Sequence, residues 1–364
     1  MMNSEGHASV GEREPPLCPR DAVGRSVVGW LAIFGAGFVA SVAATVFVLG
    51  RIGTDSIEAL ASPWTAHVFA VLVVSLVVLL FLRAWRAAIV LSPIVIWVGV
   101  VTVSIISASS SFRTDPVASF RAVSMNVGQS EGPSSAVMEW LSTTDADLVG
   151  LVECDSRWAR AVSEIGSEAA DRALRWASVI IDSDDHGTQG IALFSRFPLH
   201  DVVVEQAPGG GGPHIKAIAQ TLLGEVRVLL VHPLPPLGPK LTRLRNDELE
   251  WLATECAATL LSTLVMGDFN ETPFGRAYRR FAATTGYRAG GDSGGYEPTW
   301  PTTLFGISVP QVLGISIDHA FVSPDLVPFG FKSGPAFSPD HRPIVIDVAR
   351  DASTGSGESS PGPS

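Results

Sequence analysis

The sequence predicts a mixed α/β domain that follows three membrane-spanning helices. Three uncharged stretches of about 20 residues stand near the N-terminus: Ser26–Leu49, Thr65–Leu82 and Ala87–Ser107. Beyond them, short apolar runs typical of buried strands alternate with stretches of helical periodicity. Several of the strand-like runs end in Asn, Asp, Glu or His, which places polar side chains along one edge of the predicted sheets.

The three uncharged stretches each have about the length that crosses a hydrocarbon core, roughly 20 residues. One such stretch could be a buried core helix, and the first alone could be a signal peptide. Three in succession, each flanked by charged residues, favour membrane spans. Because two more spans follow at once, we do not expect cleavage after the first.

The distribution of arginine predicts the orientation of the spans, since cytoplasmic links carry more Lys and Arg. Arginines stand before the first span and between the second and third: Arg13, Arg20, Arg25, Arg83 and Arg86. The link between the first two spans, Gly50–Trp64, has only Arg51 beside two acidic residues. We therefore expect a cytoplasmic N-terminus and an extracytoplasmic segment after the third span. His67, near one end of the second span, is expected at the membrane interface.

Composition divides the chain into five parts. Residues 1–25 are polar and predict a disordered cytoplasmic tail. The three spans occupy 26–107, and a serine-rich linker, 108–118, leads to one domain at 119–349. The Ser/Gly/Pro-rich residues 350–364 predict a second disordered tail.

The net charge of −11 argues against a surface that holds nucleic acid by bulk phosphate neutralisation. It leaves room for catalysis on a phosphate ester, because a bound cation can supply positive charge locally. Cys154 and Cys256 could pair, but two small buried residues are the preferred interpretation, and no zinc-ligand spacing exists.

The domain itself is predicted from apolar runs and periodicity. The predicted strands are Phe120–Asn126, Ala146–Val152, Ala177–Ile181, Gly190–Phe194, Val202–Glu205, Ile215–Leu222, Val226–Val231, Leu260–Met266, Ile315–Val322 and Pro343–Val348. Helical periodicity predicts helices at Ser134–Leu141, Ser156–Ile165 and Leu241–Leu261, and a turn at Glu271–Pro273 opens one more. The glycine run Pro208–Pro213 predicts a hairpin tip, since it lacks the Lys-Ser/Thr and the following helix of a phosphate-binding loop.

Asp268 and Asn270 follow a predicted buried strand. Residues two apart in an extended chain point the same way, so a carboxylate and a carboxamide can address one point in space. That arrangement would suit a water molecule or a metal-bound anion. A helix cap or an Asx turn with no chemical role is the alternative.

Further polar residues end or precede other predicted strands. These are Asn126, Glu153, His232, Asp318, Asp340 and His341. Each one alone could cap a turn or sit at a solvated edge. A buried sheet that presents all of them along one edge is costly unless water, ligand or metal satisfies them, so together they indicate a shared site.

The order of these motifs resembles the endonuclease/exonuclease/phosphatase family. The matching stretches are Ser124–Val127, Asp147–Glu153, Gly190–Pro198, Val231–Pro233, Gly267–Asn270, Ser316–His319 and Ser338–Pro343. The resemblance covers about Phe120–Val348. It implies a four-layer αββα sandwich whose active site lies at one edge of the paired sheets.

The resemblance also implies roles for the residues. Glu153 would be the main ligand of a divalent cation, with Asn126 and Asp340 close by; Mg²⁺ is expected and Mn²⁺ would also fit. In the same way, His341 would act on the attacking water, and Asp318 would accept a bond from its other ring nitrogen.

The remaining catalytic roles follow from the same resemblance. Asp268 and Asn270 would orient the nucleophile and the phosphoryl oxygens. His232 would stabilise phosphate oxygens or assist the leaving group. The carboxylate that pairs with this histidine in many nucleases has only candidates here: Asp182, Asp184 and Asp185. His319, where the family often has an aromatic residue, is expected to be a packing residue.

Cations that could grip DNA are sparse. The obvious ones are Arg196, Lys216, Lys240, Arg243 and Arg245. The two arginines at 243 and 245 could also line only a solvated helix face. Specificity for double-stranded DNA is therefore not favoured.

The leading hypothesis is a membrane-anchored, metal-dependent phosphoesterase that hydrolyses phosphodiester bonds on the extracytoplasmic side, in nucleic acid or in phospholipid headgroups. The alternative is a phospholipid- or sphingomyelin-type phosphodiesterase or a phosphatase. A catalytically silent binding domain is less favoured because the positions that such a site requires are filled. A transporter is disfavoured because the spans lack buried ionisable residues and broken repeats. No obligate protein partner is predicted.

Overall fold

The computed structural model describes residues 19–107, 118–128, 132–165, 176–178, 190–290, 296–337 and 340–351. The N-terminal tail up to residue 18, most of the predicted linker and the C-terminal tail from residue 352 lie outside the described residues. So do the candidate carboxylates Asp182, Asp184 and Asp185.

The N-terminal part is a bundle of apolar helices. Helix α1 spans Pro19–Ile52, α2 spans Asp55–Ala61, α3 spans Thr65–Phe81 and α4 spans Trp85–Ile106, with a 3₁₀ turn at Ser62–Trp64. Three helical segments of the described chain are long and apolar enough to cross a membrane. They match the three predicted spans, whereas the short helix α2 was not predicted.

The C-terminal domain alternates strands and helices. In chain order it contains β1 (Ser119–Asn126), α5 (Ser135–Thr144), β2 (Leu148–Val152), α6 (Ser156–Ser163), β3 (Trp176–Ser178), β4 (Ile191–Ser195), β5 (Leu199–Gln206), β6 (Pro213–Thr221), β7 (Gly224–Val231), α7 (Pro239–Ala257), β8 (Thr263–Asp268), α8 (Arg276–Thr285), β9 (Arg288–Ala289), β10 (Thr303–Leu304), β11 (Ile307–Ser308), a 3₁₀ turn (Gln311–Leu313), β12 (Asp318–Val322), β13 (Leu326–Pro328), β14 (Lys332–Ser333) and β15 (Ile344–Arg350). The predicted strands therefore all begin or end close to observed ones, and the predicted glycine-rich tip joins the antiparallel pair β5 and β6.

Two large sheets pack face to face. The first has the order β13-β15-β1-β2-β4-β3, with β14 beside β15, and the second has the order β5-β6-β7-β8-β12-β9. Apolar side chains from the inner faces form one core, with Leu193 and Ile346 from the first sheet meeting Leu230 and Met266 from the second. A Cβ on Gly150 would lie 2.6 Å from Cδ1 of Leu230, so glycine there permits the close approach of the sheets.

Helices cover both outer faces. The apolar sides of α5 and α6, including Leu141 and Trp158, pack on the first sheet. Helices α7 and α8 place Leu252 and Phe281 on the second sheet. The predicted four-layer αββα sandwich is confirmed, because helix, sheet, sheet and helix follow one another.

The topology brings the predicted polar residues to one edge. Strands β1 and β2 are parallel, as are β7 and β8, so their carboxyl ends point the same way. Asn126 and Asp268 are the last residues of β1 and β8. Strand β12 runs antiparallel to β8, and its first residue, Asp318, stands directly opposite Asp268. Strand β15 runs antiparallel to β1, which returns His341 to the same edge.

Some boundaries differ from the prediction for local reasons. The strand predicted from Leu260 begins at Thr263, because the chain leaves α7 in a turn that fully exposes Leu260. The strand predicted from Ile315 begins at Asp318, since Ile315 pairs instead with Trp300 in an isolated bridge.

The two outer cysteines are buried and lie in different layers. Cys154 packs against the first sheet with α6, and Cys256 belongs to α7 on the second. No disulfide joins them. The expectation of two small buried residues is confirmed.

Candidate active site

Asn126 connects the two sheets at their polar edge. Its Nδ2 donates to Oε1 of Glu153 at 3.0 Å and to Oδ2 of Asp268 at 3.0 Å. Glu153 follows β2 in the first sheet, and Asp268 ends β8 in the second. The Asn126 amide therefore bonds to one carboxylate from each sheet. Its Oδ1 accepts a hydrogen bond from the N–H of Gly128.

His341 and Asp318 form a buried pair. Nδ1 of the imidazole lies 2.9 Å from Oδ2 of Asp318, and Nε2 lies 3.7 Å from Oδ2 of Asp268. Burial alone would lower the pKa of His341, but the carboxylates of Asp318 and Asp268 outweigh it and raise the pKa to about 10. The ring is thus fixed in orientation, with Nε2 turned toward the cleft.

Burial raises the pKa of Asp268, and the carboxylate of Asp318 opposite raises it further. The histidines at 341 and 232 and the N–H of Asn270 act in the other direction. Two carboxylates and one imidazole, those of Asp268, Asp318 and His341, are thus buried beside one another. Such a cluster favours a bound cation or a shared proton.

His232, which follows β7, lies between the carboxylates of the two sheets. Its Nε2 is 3.6 Å from Oε1 of Glu153 and 3.8 Å from Oδ2 of Asp268. Among the described residues, the carboxylates within ion-pair distance of His232 are those of Glu153 and Asp268. The partner carboxylate expected upstream lies outside those residues.

The turn after β8 has the Asx geometry that the sequence left open as an alternative. The N–H of Asn270 donates to Oδ1 of Asp268 at 2.8 Å, and its Nδ2 donates to the carbonyl of Pro233 at 3.0 Å. Asn270 adopts a left-handed backbone with φ of 49°. The turn therefore orients the Asp268 carboxylate and fastens the loop that carries His232.

Arg245 corrects the expectation of a solvated or DNA-contacting cation. It is 1% exposed, and its Nη2 lies 2.9 Å from Oε2 of the buried Glu271. Its Nη1 donates to the carbonyl of Asn270. Helical periodicity could not reveal this, because the partner carboxylate lies on a loop after another strand. Arg245 thus stabilises the loop that carries Asn270 and Glu271.

His319 packs as expected. Its ring lies 4.7 Å from that of Tyr278 and 5.6 Å from that of Phe269, measured between centroids. Nε2 pairs with the carbonyl of Glu271 at 2.8 Å. The ring faces α8, away from the polar edge.

A cavity of about 410 Å³ opens over the polar edge. Its polar wall contains Glu153, His232, Asp268, Asn270, Glu271, Thr272, Asp340 and His341. All the predicted site residues except Asn126 and Asp318 line it, and those two bond directly to lining residues.

The lining suits a metal ion in its chemistry. Carboxylate and amide oxygens dominate, which are the ligands of hard divalent cations. Ligand atoms of Asp268, Asp318 and His341 all lie within 4.8 Å of one another. Oδ1 of Asp318 is buried without a hydrogen-bond partner among the described residues. The predicted set of Asn126, Glu153 and Asp340 stands beside this cluster, and its role as a ligand set stays a prediction.

The opposite wall of the cavity was not predicted. It comes from the link between α1 and α3 and includes Ala59, Leu60, Pro63 and Trp64. The link is fastened to the domain through Glu58, which accepts a bond from the N–H of Arg276 at 2.7 Å, while the guanidinium of Arg276 donates to the carbonyl of Gly53 at 2.7 Å. These contacts join residues more than 200 positions apart in the sequence, so no local sequence pattern predicts them.

Two of the other candidate cations are also engaged in the structure. Arg196 lies 2.8 Å from Asp145, and Lys216 pairs with Glu205 and with Glu255. The described residues that line the cavity include no Lys or Arg.

Comparisons with known proteins find one family and several solved structures that are similar to this chain. A profile of the endonuclease/exonuclease/phosphatase family matches residues 123–356. A solved structure of an endonuclease/exonuclease/phosphatase from Beutenbergia cavernae is 16% identical, with 64% of this chain and 72% of that chain covered and a TM-score of 0.48. A family protein from Bacteroides thetaiotaomicron is 17% identical, with 65% and 100% covered and a TM-score of 0.44.

The catalytic domain of human Nocturnin, solved with a bound sulfate anion, is 16% identical, with 64% of this chain and 95% of that chain covered and a TM-score of 0.43. No curated protein sequence matches the chain. The family match covers most of the chain and contains every candidate site residue. This chain belongs to the endonuclease/exonuclease/phosphatase family of phosphoesterase hydrolases.

Proposed function

We propose that the chain is a membrane-anchored phosphoesterase that hydrolyses phosphodiester bonds with the help of a divalent cation on the extracytoplasmic side. The observation that carries the proposal is the junction of the sheets, where the His341–Asp318 pair and the Asn126 bridge meet around Asp268. Family membership supplies the reaction class.

The chemistry assigned to the cleft is hydrolysis. Water forms a bond from its oxygen to phosphorus, the P–O bond to the departing alcohol breaks, and that alcohol receives the proton. Glu153, Asn126 and Asp340 would hold the cation, which when bound would neutralise phosphate charge and polarise the phosphoryl group.

The protein groups have distinct tasks in this proposal. Nε2 of His341 faces the reacting water or phosphoryl oxygen, and Asp318 keeps the ring in place and supports its positive charge. Asp268 accepts a hydrogen bond from the water and orients it. His232 donates to a phosphoryl oxygen as negative charge builds in the transition state.

Anchoring and sidedness rest on separate observations. The three apolar segments support anchoring. The contact of Glu58 with Arg276 supports a link and a domain on the same side of the membrane. The arginines at the opposite helix ends support an extracytoplasmic position for that side. A reporter fused after residue 350 should be active only when exported, and activity in the cytoplasm would reverse this orientation.

The experiment for the activity uses the full chain in lipid nanodiscs. It is incubated with Mg²⁺ and bis(p-nitrophenyl) phosphate, plasmid DNA, RNA or phospholipid vesicles. His341→Ala should remove turnover of whichever substrates the wild type hydrolyses, and chelation should do the same. His200→Ala, on the distant strand β5, is the matched control and should keep full activity. Turnover that survives in His341→Ala, or absence of turnover with every substrate, would overturn the proposal.

A further inference from the structure

One side of the cavity over the polar edge is formed by the link between α1 and α3. Leu60 and Trp64 line the cavity together with His341, yet they are 64% and 41% exposed. Side chains that served only to pack this link on the domain would be covered. These two instead offer apolar surface to whatever enters the cleft.

The domain also contributes apolar residues to the cavity lining. The loop after β7 supplies Pro235, Pro236 and Leu237, and the last of these is 74% exposed. Trp300, Ile315 and Ile317 complete the lining beyond the polar wall. The cavity lining therefore has a charged part at the strand termini and an apolar part that comes from the link and the domain.

An exposed apolar patch lies where the domain meets the apolar helices. Its side chains, each more than half exposed, come from the β10–β11 hairpin and the following 3₁₀ turn: Leu304, Phe305, Ile307, Val312 and Leu313. The ring of His67, near the start of α3, lies close to the backbone of Val312 and Leu313. The patch is thus level with the end of a helix proposed to span the bilayer, where lipid would cover it.

We propose that the substrate is an amphiphilic phosphodiester of the membrane. Its phosphate lies at the charged end of the cavity, and its hydrocarbon chain runs between Leu60, Trp64 and Leu237 toward the bilayer. This inference rests on the proposed hydrolase function and adds the substrate class. The reaction is the same hydrolysis, which leaves a phosphomonoester and an alcohol.

The alternative of a nucleic acid substrate accounts less well for the lining. A polynucleotide needs Lys and Arg along its backbone. No Lys or Arg lines the cavity within the described residues, and Arg196 and Lys216 are held by acidic neighbours. Apolar surface on both sides of the entrance is what a hydrocarbon chain requires.

The test compares two esters with the same leaving group, p-nitrophenyl ethyl phosphate and p-nitrophenyl hexadecyl phosphate. Both release p-nitrophenol, and the full chain is assayed in nanodiscs with Mg²⁺. Each methylene removed from water on the apolar wall should favour the long ester about fourfold. With several methylenes in contact, kcat/KM for the long ester should exceed that for the short one by about 100-fold or more.

Variants separate the wall from simple partitioning of the long ester into the bilayer. Leu60→Ser and Trp64→Ser should each lower the long-to-short ratio at least about fourfold, the loss expected when roughly one methylene contact is removed. Leu222→Ser is the matched control, because Leu222 is 69% exposed in the β6–β7 turn at the opposite end of the sheet. Partitioning is the same for all three proteins, so only contact with the wall changes the ratio.

The outcomes distinguish this inference from the proposed function. Hydrolysis of the ethyl ester with no preference for the long ester, or a preference that survives both wall substitutions, would overturn the amphiphile inference and leave the hydrolase intact. Efficient cleavage of DNA or RNA by the same preparation, with the vesicles untouched, would also overturn it. No hydrolysis of either ester would count against the hydrolase itself.

Discussion

The buried pair of Asp318 and His341 gives the sharpest prediction for catalysis. Asp318→Asn keeps the volume of the side chain and removes its charge. At 2.9 Å the gross attraction between the carboxylate and an imidazolium is about 6 kcal/mol with an effective dielectric constant of 20. Desolvation of the two buried groups offsets part of this, so the net value is smaller.

The catalytic loss should reflect the orientation of the ring and its charge in the transition state. Proton-transfer groups of this type contribute about 10²–10⁴ to rate, or roughly 3–5 kcal/mol of barrier. We therefore expect kcat on bis(p-nitrophenyl) phosphate to fall by at least about 100-fold, with a smaller change in KM.

Asp325→Asn is the control for this experiment. Asp325 lies after the end of β12 that is remote from the cleft, and it accepts a hydrogen bond from Ser262. Asp325→Asn is therefore the same acid-to-amide change at a position away from the cleft. Both variants are compared by thermal unfolding in nanodiscs so that loss of fold is recognised. A fall in kcat of less than fivefold for Asp318→Asn, in a folded protein, would refute the reasoning.

Three further predictions concern the metal, the brace behind the site and the titration of a buried thiol. Glu153→Gln should raise the Mg²⁺ concentration for half-maximal activity at least about tenfold, the lower range for losing a ligand-shell group; a Mg²⁺ titration of rate measures this, and an unchanged midpoint would contradict the ligand role. Arg245→Met leaves the buried Glu271 carboxylate uncompensated and should cost about 3–5 kcal/mol of folding free energy, seen in urea unfolding of the full chain in detergent. Adding Glu271→Gln should recover part of this loss, and no recovery would argue against the pair. Burial raises the pKa of Cys256 to about 11, so the folded state disfavours the thiolate. The stability that the buried neutral thiol contributes is present below the ordinary pKa of 9.0 and is lost as the pH rises from 9.0 through about 11. Alkylation of Cys256 at pH 8 should therefore require unfolding, whereas labelling of the native protein within minutes would show an accessible thiol.

Much of the sandwich could be predicted because its information is local. Strands β1, β2 and β8 are short apolar runs that end in a polar residue or are followed directly by one, and both period and composition indicate them. The convergence of Asn126 and Asp268 follows from parallel strand pairs, whose carboxyl ends must share an edge. The pairing of Asp318 with His341 was implied by the resemblance and is present at 2.9 Å.

What could not be predicted depends on contacts between distant segments. The burial of Arg245 requires the Glu271 loop, and helical periodicity alone suggests a solvent-facing cation. The link Gly50–Trp64 looks like an ordinary polar connection between two spans. The link becomes a wall of the cavity because Glu58 accepts a hydrogen bond from Arg276. No sequence pattern around either residue predicts this contact.

The place of β15 in the first sheet has a consequence for biosynthesis. Among the described residues this strand comes last along the chain, yet it lies inside the sheet, between β13 and β1. Asp340 and His341 stand shortly before β15, so the charged end of the cleft is incomplete until these residues have been made. A nascent or prematurely terminated chain would carry an open sheet edge and no competent centre. The cleft would thus be completed only after this segment had been made and β15 had paired with β1 and β13.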